Sequence, residues 1–370
     1  MSFSVLRAQG PEASRWTARV NALPAGLRDI HYLPEYGLVY RHSHGFEPLL
    51  ALYEAGDGFV LQPFVRRPLR ELPFLSEGGD MLAATDIANA YGFGGPLCNL
   101  PAGSETARTL YVGFAEAFAA WCDDEDIATE FAVLHPFLAE HQLALVRGTL
   151  HPRHEKDVVY IDLEQSEAAI AHGVNRGNRS SIAKARRSGV RVEKVEPSRP
   201  NLDLFGGLYR DTMVRRNAAA RWFLPEGFFD VFCRCVGPAR SSLFFALAGA
   251  EVECACLLMH AFDTAYYHFA GARDARPELR ASNLMTLETA LWARAAGFTR
   301  YHLGGGVSSS AGDTLLRFKA GFSDRRAPLY TYFCVRDTAV YERLCERKRT
   351  YERATDGRES ASDFLPLYRR

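Results

Sequence analysis

The stretch YHLGGGVSSSAGDTLLRFKAGF, residues 301–322, decides how we interpret the fold of this chain. Its first residues predict the end of a half-buried strand, and glycines at 304–306 then permit positive φ angles or a close approach to a ligand. After a Ser-rich loop, Asp313 is typical of a helix N-cap, and the short helix that it opens carries Lys319. A lysine so placed either meets an anion or a developing oxyanion, or is simply solvated at the end of a strand–loop–helix connection.

Length and composition favour a globular protein of two or three domains without a strong overall electric field. The 370 residues are 47% apolar and 12% aromatic, and the formal net charge is zero. A large core can therefore form, while the net charge attracts neither DNA nor an acidic membrane. No helix-turn-helix pattern is evident, so we do not expect a transcription factor.

The first residues and the cysteines lead us to expect a cytoplasmic protein. The start MSFSVLRAQGPEASRW lacks the apolar run of a signal peptide, and no apolar stretch is long enough to span a membrane. Eight scattered cysteines, many in apolar contexts, suit reduced thiols. The pairs Cys233/Cys235 and Cys254/Cys256 have no further ligands at zinc-site spacing, so we expect neither a metal nor a bound cofactor.

Residues 1–150 predict a first domain of strands and helices. Apolar runs on either side of residues 54–58 predict a hairpin, and helical spacing follows over 104–122. The segment IATEFAVLHPFL at 127–138 predicts a strand that ends at His135-Pro136. The segment YGFGGP at 91–96 is either a plain turn or a loop that holds aromatic side chains against a ligand.

Residues 151–335 predict a second domain, and residues 336–370 a charged helix with a terminal extension. The segment 173–191 is the most basic of the chain. A helix start rich in arginine can bind a phosphate, although a solvated basic face has the same composition. From 190 to 305 the order is strand, helix, helix, three strands, helix and strand, with Ser282 as the N-cap of the last helix. That is the element order of a GNAT-type acyltransferase domain.

The loop before this last helix bears on the acyl donor. In GNAT-type domains it holds the pyrophosphate of coenzyme A and normally contains glycines. Here it reads ARDARPELRASN, without glycine between Arg273 and Ser282. Because a phosphate cradle needs a close backbone approach, this sequence argues against coenzyme A as the acyl carrier.

Six pieces in the right order resemble the FemAB (FemX-like) family, whose members add amino acids to peptidoglycan precursors. The pieces are YGFGGP (91–96), EFAVLHP (130–136), NRSSIAKARRSGV (178–190), LYRDTMVRRNA (208–218), YYHFAG (266–271) and HLGGG…DTLLRFKAGF (302–322). The resemblance implies an α/β (α+β) fold of two tandem GNAT-like domains. Each is expected to be a mixed, mostly antiparallel sheet flanked by helices.

The resemblance also implies roles for individual residues. Lys319, with Phe318 beside it, is expected to stabilise the transferring carbonyl. Arg179, and less securely Arg176, is expected to bind the phosphates of the precursor. Tyr91 is expected to contact the acceptor.

Three further residues complete the substrate-binding set that the resemblance implies. They are Gly94 in the aromatic loop, Tyr267 in a strand of the second domain and Gly305 in the glycine run.

A general base is needed only if the attacking amine arrives protonated, because an aminoacyl ester is already activated. Asp86, Glu130 and Asp313 are the candidates for this base. We rank Asp86 first because it stands just before the aromatic loop.

Three hypotheses about function follow. The first is transfer from aminoacyl-tRNA to the amine of a peptidoglycan precursor or a similar nucleotide- or lipid-linked peptide; a lipid-linked acceptor would bring the protein into peripheral contact with a membrane. The second is an N-acyltransferase that uses acetyl-CoA or another acyl-CoA on a sugar or amino-acid amine. The third is an inactive tandem domain that binds nucleotide-linked ligands or tRNA, against which the intact Lys319 and Arg179 weigh.

Overall fold

The computed structural model describes residues 1–75, 84–307, 312–356 and 365–369. Most of the predicted Ser-rich loop falls on 308–311 and so lies outside the described residues. Among the described helices, none is both long and apolar enough to cross a membrane.

The helices and strands alternate along much of the chain. The α-helices are α1 (Pro11–Asn21), α2 (Pro34–His44), α3 (Glu105–Asp124), α4 (Ala139–Leu145), α5 (Glu167–Gly173), α6 (Arg176–Arg187), α7 (Arg199–Arg215), α8 (Phe228–Val236), α9 (Ala281–Ala295), α10 (Thr314–Ala320) and α11 (Thr338–Asp356). The strands are β1 (Ser2–Arg7), β2 (Glu47–Ala55), β3 (Gly58–Pro68), β4 (Thr85–Ala88), β5 (Leu97–Cys98), β6 (Ile127–Val133), β7 (Arg153–Asp162), β8 (Val190–Val195), β9 (Ser241–Ala248), β10 (Glu251–Ala261), β11 (Thr264–Ala272), β12 (Arg300–Gly304) and β13 (Arg326–Val335).

Two units divide the chain. Unit 1 comprises Met1–Glu155 and Leu329–Arg370, and unit 2 comprises Lys156–Pro328. The sequence analysis instead expected domains at 1–150 and 151–335, with the remainder separate. The difference arises because β13 pairs antiparallel with β6 and because α11 packs into a core of unit 1 through its buried residue Leu344.

Unit 1 is built on a mixed sheet in the strand order β1-β2-β3-β4-β6-β13, with β5 paired on β3. Only β4 and β6 run parallel among these pairs. The predicted hairpin is β2–β3, closed by the pairing of Ala55 with Gly58. Helix α3 packs against the sheet, since Phe118 stacks on Phe114 and contacts Phe64 of β3.

The strands of unit 2 pair in the order β7-β12-β11-β10-β9-β8. Here β11 and β12 are the parallel pair. Helix α9 buries Met285 and Ala290 in the same core as Cys256 and Leu258 of β10. Helix α7 contacts β11, because the Thr212 hydroxyl donates to the Ala272 carbonyl at 3.2 Å.

The element order predicted for residues 190–305 is confirmed, and so is the expectation of a mixed, mostly antiparallel α/β fold flanked by helices. One local prediction is wrong. Ser282 lies inside α9, and Arg280, with φ 57°, occupies the capping position instead. The preceding turn, a 3-10 helix at Pro277–Leu279, leads directly into α9 and leaves no room for a separate serine cap.

Candidate functional site

Lys319 lies near the end of α10, where it reaches back to the glycine run. The predicted helix cap is confirmed, because Asp313 Oδ1 accepts from the Leu316 N–H at 2.8 Å. Lys319 is half-buried, and its Nζ donates to the carbonyl oxygen of Gly305 at 2.8 Å. Gly305 therefore contributes its carbonyl to holding the lysine.

The surroundings of Lys319 favour loss of its proton. Burial lowers its pKa from 10.5 to about 7, and the positive charges of Lys156 and Arg216 add to this effect, while the carboxylate of Asp313 opposes it. Two cations and one carboxylate thus surround the Lys319 amine. An anion, or an oxygen that becomes negative during a reaction, is the species that such a site stabilises.

Lys156 is a site residue that the sequence analysis missed. Its Nζ donates to the carbonyl oxygen of Gly306 at 3.0 Å, next to the carbonyl that holds Lys319. The only sequence signal was its position just before the strand DVVYIDLE, in a chain with five lysines. Nothing in that local pattern links it to a loop 150 residues away in the chain.

The glycine run leaves space for charged side chains. Gly304 has φ 83°, and a Cβ on it would lie 3.1 Å from Lys319 Nζ. A Cβ on Gly306 would lie 2.5 Å from Asp313 Cγ. The sequence analysis expected these glycines to permit positive φ or the approach of a ligand, and the described contacts are with the lysines and Asp313 of the protein itself.

The basic helix α6 begins beside Lys319. The Asn175 N–H donates to the Gly321 carbonyl at 2.8 Å, and the Asn178 side-chain amide donates to the Phe318 carbonyl at 3.3 Å. These bonds join the first turn of α6 to the end of α10. Arg176, the first residue of α6, is exposed and lies between the two asparagines that make these bonds.

The two arginines of α6 differ in their contacts. Arg179 Nη1 donates to the His172 carbonyl at 2.8 Å and also to the Val174 carbonyl, so it fastens the end of α5. Arg176 has no such bond among the described residues. The geometry thus favours Arg176 for binding a phosphate, which reverses the order given by the sequence.

The remaining predicted residues of unit 2 have packing contacts. The ring of Phe318 lies 5.2 Å from that of Phe322 in an edge-on arrangement. Tyr267 is half-buried on β11, with its ring 6.4 Å from that of Tyr301. Burial holds the pKa of the Tyr267 hydroxyl well above its usual range, so it acts only as a neutral group.

The loop before α9 is closed by its own hydrogen bonds. Pro277 has no N–H, the Leu279 N–H donates to the Arg276 carbonyl at 3.1 Å, and the Arg280 N–H donates to the Pro277 carbonyl at 3.3 Å. The Arg276 guanidinium contacts the buried carboxylate of Glu253. These groups are therefore already engaged at the position where a phosphate cradle would need them.

In unit 1, the predicted aromatic loop has one exposed ring and a fixed backbone. Tyr91 is 43% exposed, while burial of its hydroxyl raises the pKa of that group to about 12. Gly94 is held by structure instead: its carbonyl accepts from the Tyr32 hydroxyl and from the Gln142 side-chain amide, each at 2.8 Å. We therefore assign Gly94 to shaping the loop.

Asp86, the first-ranked base, is completely buried in unit 1. Its carboxylate accepts from Arg67 Nε at 2.8 Å, from Arg369 Nε at 2.6 Å and from the Tyr368 hydroxyl at 2.9 Å. Burial alone would raise the pKa of this carboxyl, but the two arginines outweigh it and hold the pKa below its usual value. A buried, doubly paired carboxylate does not fit the role of a base.

Glu130 is also engaged in the core of unit 1. Its carboxylate accepts from the Gln62 amide and the Tyr332 hydroxyl, each at 2.7 Å, and it pairs with Arg336. Asp313 caps α10 as described above. All three carboxylates proposed as bases thus have structural partners.

A buried cluster beneath the aromatic loop escaped the sequence analysis. The potential ligand atoms of Asp29, His31 and His135 lie within 4.8 Å of one another, as in a metal site. However, His135 Nδ1 accepts from the Phe137 N–H at 3.2 Å, which assigns the proton of the neutral ring to Nε2, 3.3 Å from Asp29 Oδ2. The cluster is therefore a hydrogen-bonded network. In the sequence, its only sign was the D-x-H spacing of residues 29–31.

This network supports the aromatic loop. His31 Nδ1 lies 2.6 Å from Asp29 Oδ1, and the ring packs so closely on Gly92 that a Cβ there would lie 2.4 Å from Nε2. Burial raises the pKa of Asp29, but the two histidines outweigh it and hold this pKa well below its usual range. The carboxylate thus stays charged and keeps both rings in position.

Comparisons with known proteins agree with this architecture. Residues 172–320 match the family described as Acetyltransferase (GNAT) domain. The whole chain is similar to a crystal structure of FemX, with a TM-score of 0.66 and 12% identity over 92% of this chain and 99% of FemX. No curated protein matches the chain.

Two further solved structures share the fold. L-PGS from Bacillus licheniformis has a TM-score of 0.56 and 11% identity, over 90% of this chain and 94% of L-PGS. A conserved protein of unknown function from Bacteroides thetaiotaomicron has a TM-score of 0.50 and 11% identity, over 81% of this chain and 89% of that protein. At such identities the similarity establishes the fold, and the chemistry has to be argued from the site.

Proposed function

We propose that this chain, an acyltransferase with the FemX-like tandem GNAT fold, moves an amino acid from aminoacyl-tRNA to the amine of a peptide acceptor. The acceptor is a peptidoglycan precursor or a similar nucleotide- or lipid-linked peptide, and the product is an amide. The finer parts of this proposal, the tRNA donor and the peptide acceptor, rest on the site described above.

The observation that carries the proposal is the position of Lys319. Its half-buried amine is held by the Gly305 carbonyl at 2.8 Å, and a second lysine is held by the next carbonyl of the same loop. Attack of an amine on an ester carbonyl places negative charge on the carbonyl oxygen. A preorganised cation in a site of low polarity stabilises that oxygen more than it stabilises the substrate, which lowers the barrier.

The choice of donor is supported by the loop before α9. Its described N–H groups at Leu279 and Arg280 are used within the loop, and Arg276 is paired with Glu253. Coenzyme A would compete with these bonds for its pyrophosphate. An aminoacyl-tRNA needs no such cradle, because its reactive ester is carried by the ribose.

The choice of acceptor is supported by the exposed groups. Arg176 opens a helix whose first turn is bonded to the Lys319 motif, and a phosphate-bearing acceptor can use both its guanidinium and the helix N-terminus. Contact of Tyr91 with the acceptor remains the expectation from the resemblance to the FemAB family.

A second candidate function is acyl transfer from an acyl-CoA to a sugar or amino-acid amine. The match of residues 172–320 to the Acetyltransferase (GNAT) domain family favours it. The two candidates differ in the donor and share the lysine site.

The test is a direct comparison of donors. The protein is incubated with a tRNA pool charged with radiolabelled amino acids and with a nucleotide-linked peptidoglycan precursor, and an RNase-treated pool and labelled acetyl-CoA are run in parallel. We expect transfer of label that RNase abolishes. Transfer from acetyl-CoA alone would replace the first proposal with the second.

A matched pair of variants tests whether the measured transfer comes from this protein or from a contaminating enzyme. Lys319→Met removes the site amine, whereas Lys348→Met removes a lysine of α11 that pairs with Glu352 at 3.1 Å in unit 1. Transfer should be lost in the first variant and kept in the second. Equal transfer by both variants would show that the activity does not belong to this site.

A further inference from the structure

The proposed reaction needs a group that removes a proton from the acceptor. An acceptor amine with an ordinary pKa is an ammonium ion near pH 7 and has no lone pair for attack. The three carboxylates predicted as bases already have bonding partners. Asp86 pairs with Arg67 and Arg369. Glu130 accepts from the Tyr332 hydroxyl, and Asp313 caps α10. The proton acceptor must therefore be sought elsewhere.

Two lysines share the glycine loop. Lys319 Nζ donates to the Gly305 carbonyl at 2.8 Å and Lys156 Nζ to the Gly306 carbonyl at 3.0 Å. Because these carbonyls belong to consecutive residues just after β12, both amines are held by the same short loop, and the charge of Lys156 acts on Lys319. The positive charge of Lys156 disfavours protonation of Lys319.

The other charged and titratable groups around Lys319 come from three further elements. Asp313 at the start of α10 is negative, and Arg216 at the end of α7 is positive. His302 on β12 borders the same loop, with its Cε1 3.7 Å from the position of a Cβ on Gly304. The positive charges near Lys319, those of Lys156 and Arg216, thus outnumber the one carboxylate, and the local net charge favours the neutral form of the Lys319 amine.

We propose that Lys319 is the proton acceptor for the attacking amine and that Lys156 is the positioning residue that keeps Lys319 ready to accept. This inference rests on the proposed aminoacyl transfer and assigns its missing base. Lys156 acts through its charge and does not contact the reacting atoms.

Every proton that moves during one turnover has a defined donor and acceptor. Neutral Lys319 takes a proton from the acceptor ammonium, and the freed amine nitrogen forms a bond to the ester carbonyl carbon while the carbonyl electron pair moves to oxygen. The newly charged Lys319 stabilises that oxyanion. The carbon–oxygen ester bond then breaks, the leaving oxygen takes a proton from the nitrogen, and Lys319 releases its own proton to solvent.

The test measures the titration of Lys319 without any substrate. Samples of the full chain at a series of pH values receive a trace of isotopic acetic anhydride, are then fully acetylated, and are cleaved at arginine. Lys319 is recovered in the peptide of residues 318–325 and Lys156 in that of 154–176. The exposed Lys184, in the peptide 180–186, serves as the internal reference for reactivity.

We expect Lys319 to become reactive with a midpoint near 7, the value to which its surroundings lower its pKa. In Lys156→Met the midpoint should rise by about one pH unit, because one neighbouring charge is removed. Lys156→Arg keeps the charge and should keep the low midpoint. The pH at which the transfer rate falls on the acid side should shift by the same amount as the labelling midpoint of Lys319 in each variant.

Two results would overturn the inference. A Lys319 midpoint near the ordinary 10.5 would exclude it as the proton acceptor even if transfer occurs. A low midpoint that is the same in folded Lys156→Met would exclude the role of Lys156. Because the labelling needs no substrate, a low, Lys156-dependent midpoint in a protein that transfers nothing would instead count against the proposed transfer, and the two failures are therefore distinguishable.

Discussion

The stability of unit 2 should depend on pH through His260. This residue on β10 is 6% exposed, its Nε2 lies 3.0 Å from the Ser242 hydroxyl, and its ring packs against Trp292 and Phe298. Burial, together with the charge of Lys194, lowers its pKa from 6.5 to about 4. Folding therefore favours the neutral ring.

The sign and size of the effect follow from linkage. Because the folded-state pKa lies below the unfolded value, the unfolded chain binds the proton first as the pH falls. The contribution of His260 is complete above pH 6.5 and is lost progressively as the pH falls towards 4. From pH 7 to pH 5 the loss is about 2 kcal/mol, since each pH unit below 6.5 costs about 1.4 kcal/mol.

The assay is urea unfolding at pH 7 and pH 5, followed by tryptophan fluorescence. His260→Gln keeps a polar partner for Ser242 but cannot titrate. We expect the wild type to lose about 2 kcal/mol more than this variant between the two pH values. His172→Gln changes an exposed histidine of the same unit and should behave like the wild type.

Only the difference between the two pH values is informative, because His260→Gln also changes packing. Parallel losses in the wild type and in His260→Gln would refute the reasoning, since the buried ring would then have no altered pKa. A flatter pH dependence in Lys194→Met would separately identify the charge that contributes to the shift.

Three further predictions concern the site. Lys319→Met should lower kcat by about 100-fold or more while changing the KM of the acceptor little, because its charge is used mainly in the transition state; equal effects on both constants would contradict this role. Asp86→Asn should cost about 3 kcal/mol of unfolding free energy in urea by leaving Arg67 and Arg369 unpaired, whereas a stable variant without turnover would restore Asp86 as the base. Arg176→Ala should weaken binding of a phosphate-bearing acceptor about tenfold in a calorimetric titration, while Arg179→Ala should mainly lower Tm. The opposite result would support the order expected from the sequence, in which Arg179 is the main phosphate ligand.

The sequence by itself determined the local elements and their order. The hairpin β2–β3, the helix α3 and the order from β8 to β12 were predicted because each depends on periodicity and turn residues within a few positions. The cap at Asp313 was likewise predicted, since a carboxylate directly before the first helical residue is a local signal. These features use interactions between near neighbours, and a pattern in the chain records them directly.

The tertiary structure alone decided which charged residues have partners. Asp86 was a credible base until Arg369, 283 residues further along the chain, was found on its carboxylate. Lys156 was linked to the glycine loop only by its bond to Gly306, and Arg179 was found bonded to the end of α5. Charge and hydrogen bonding act through space at a few ångströms, so a side chain's role depends on residues that no local pattern brings together.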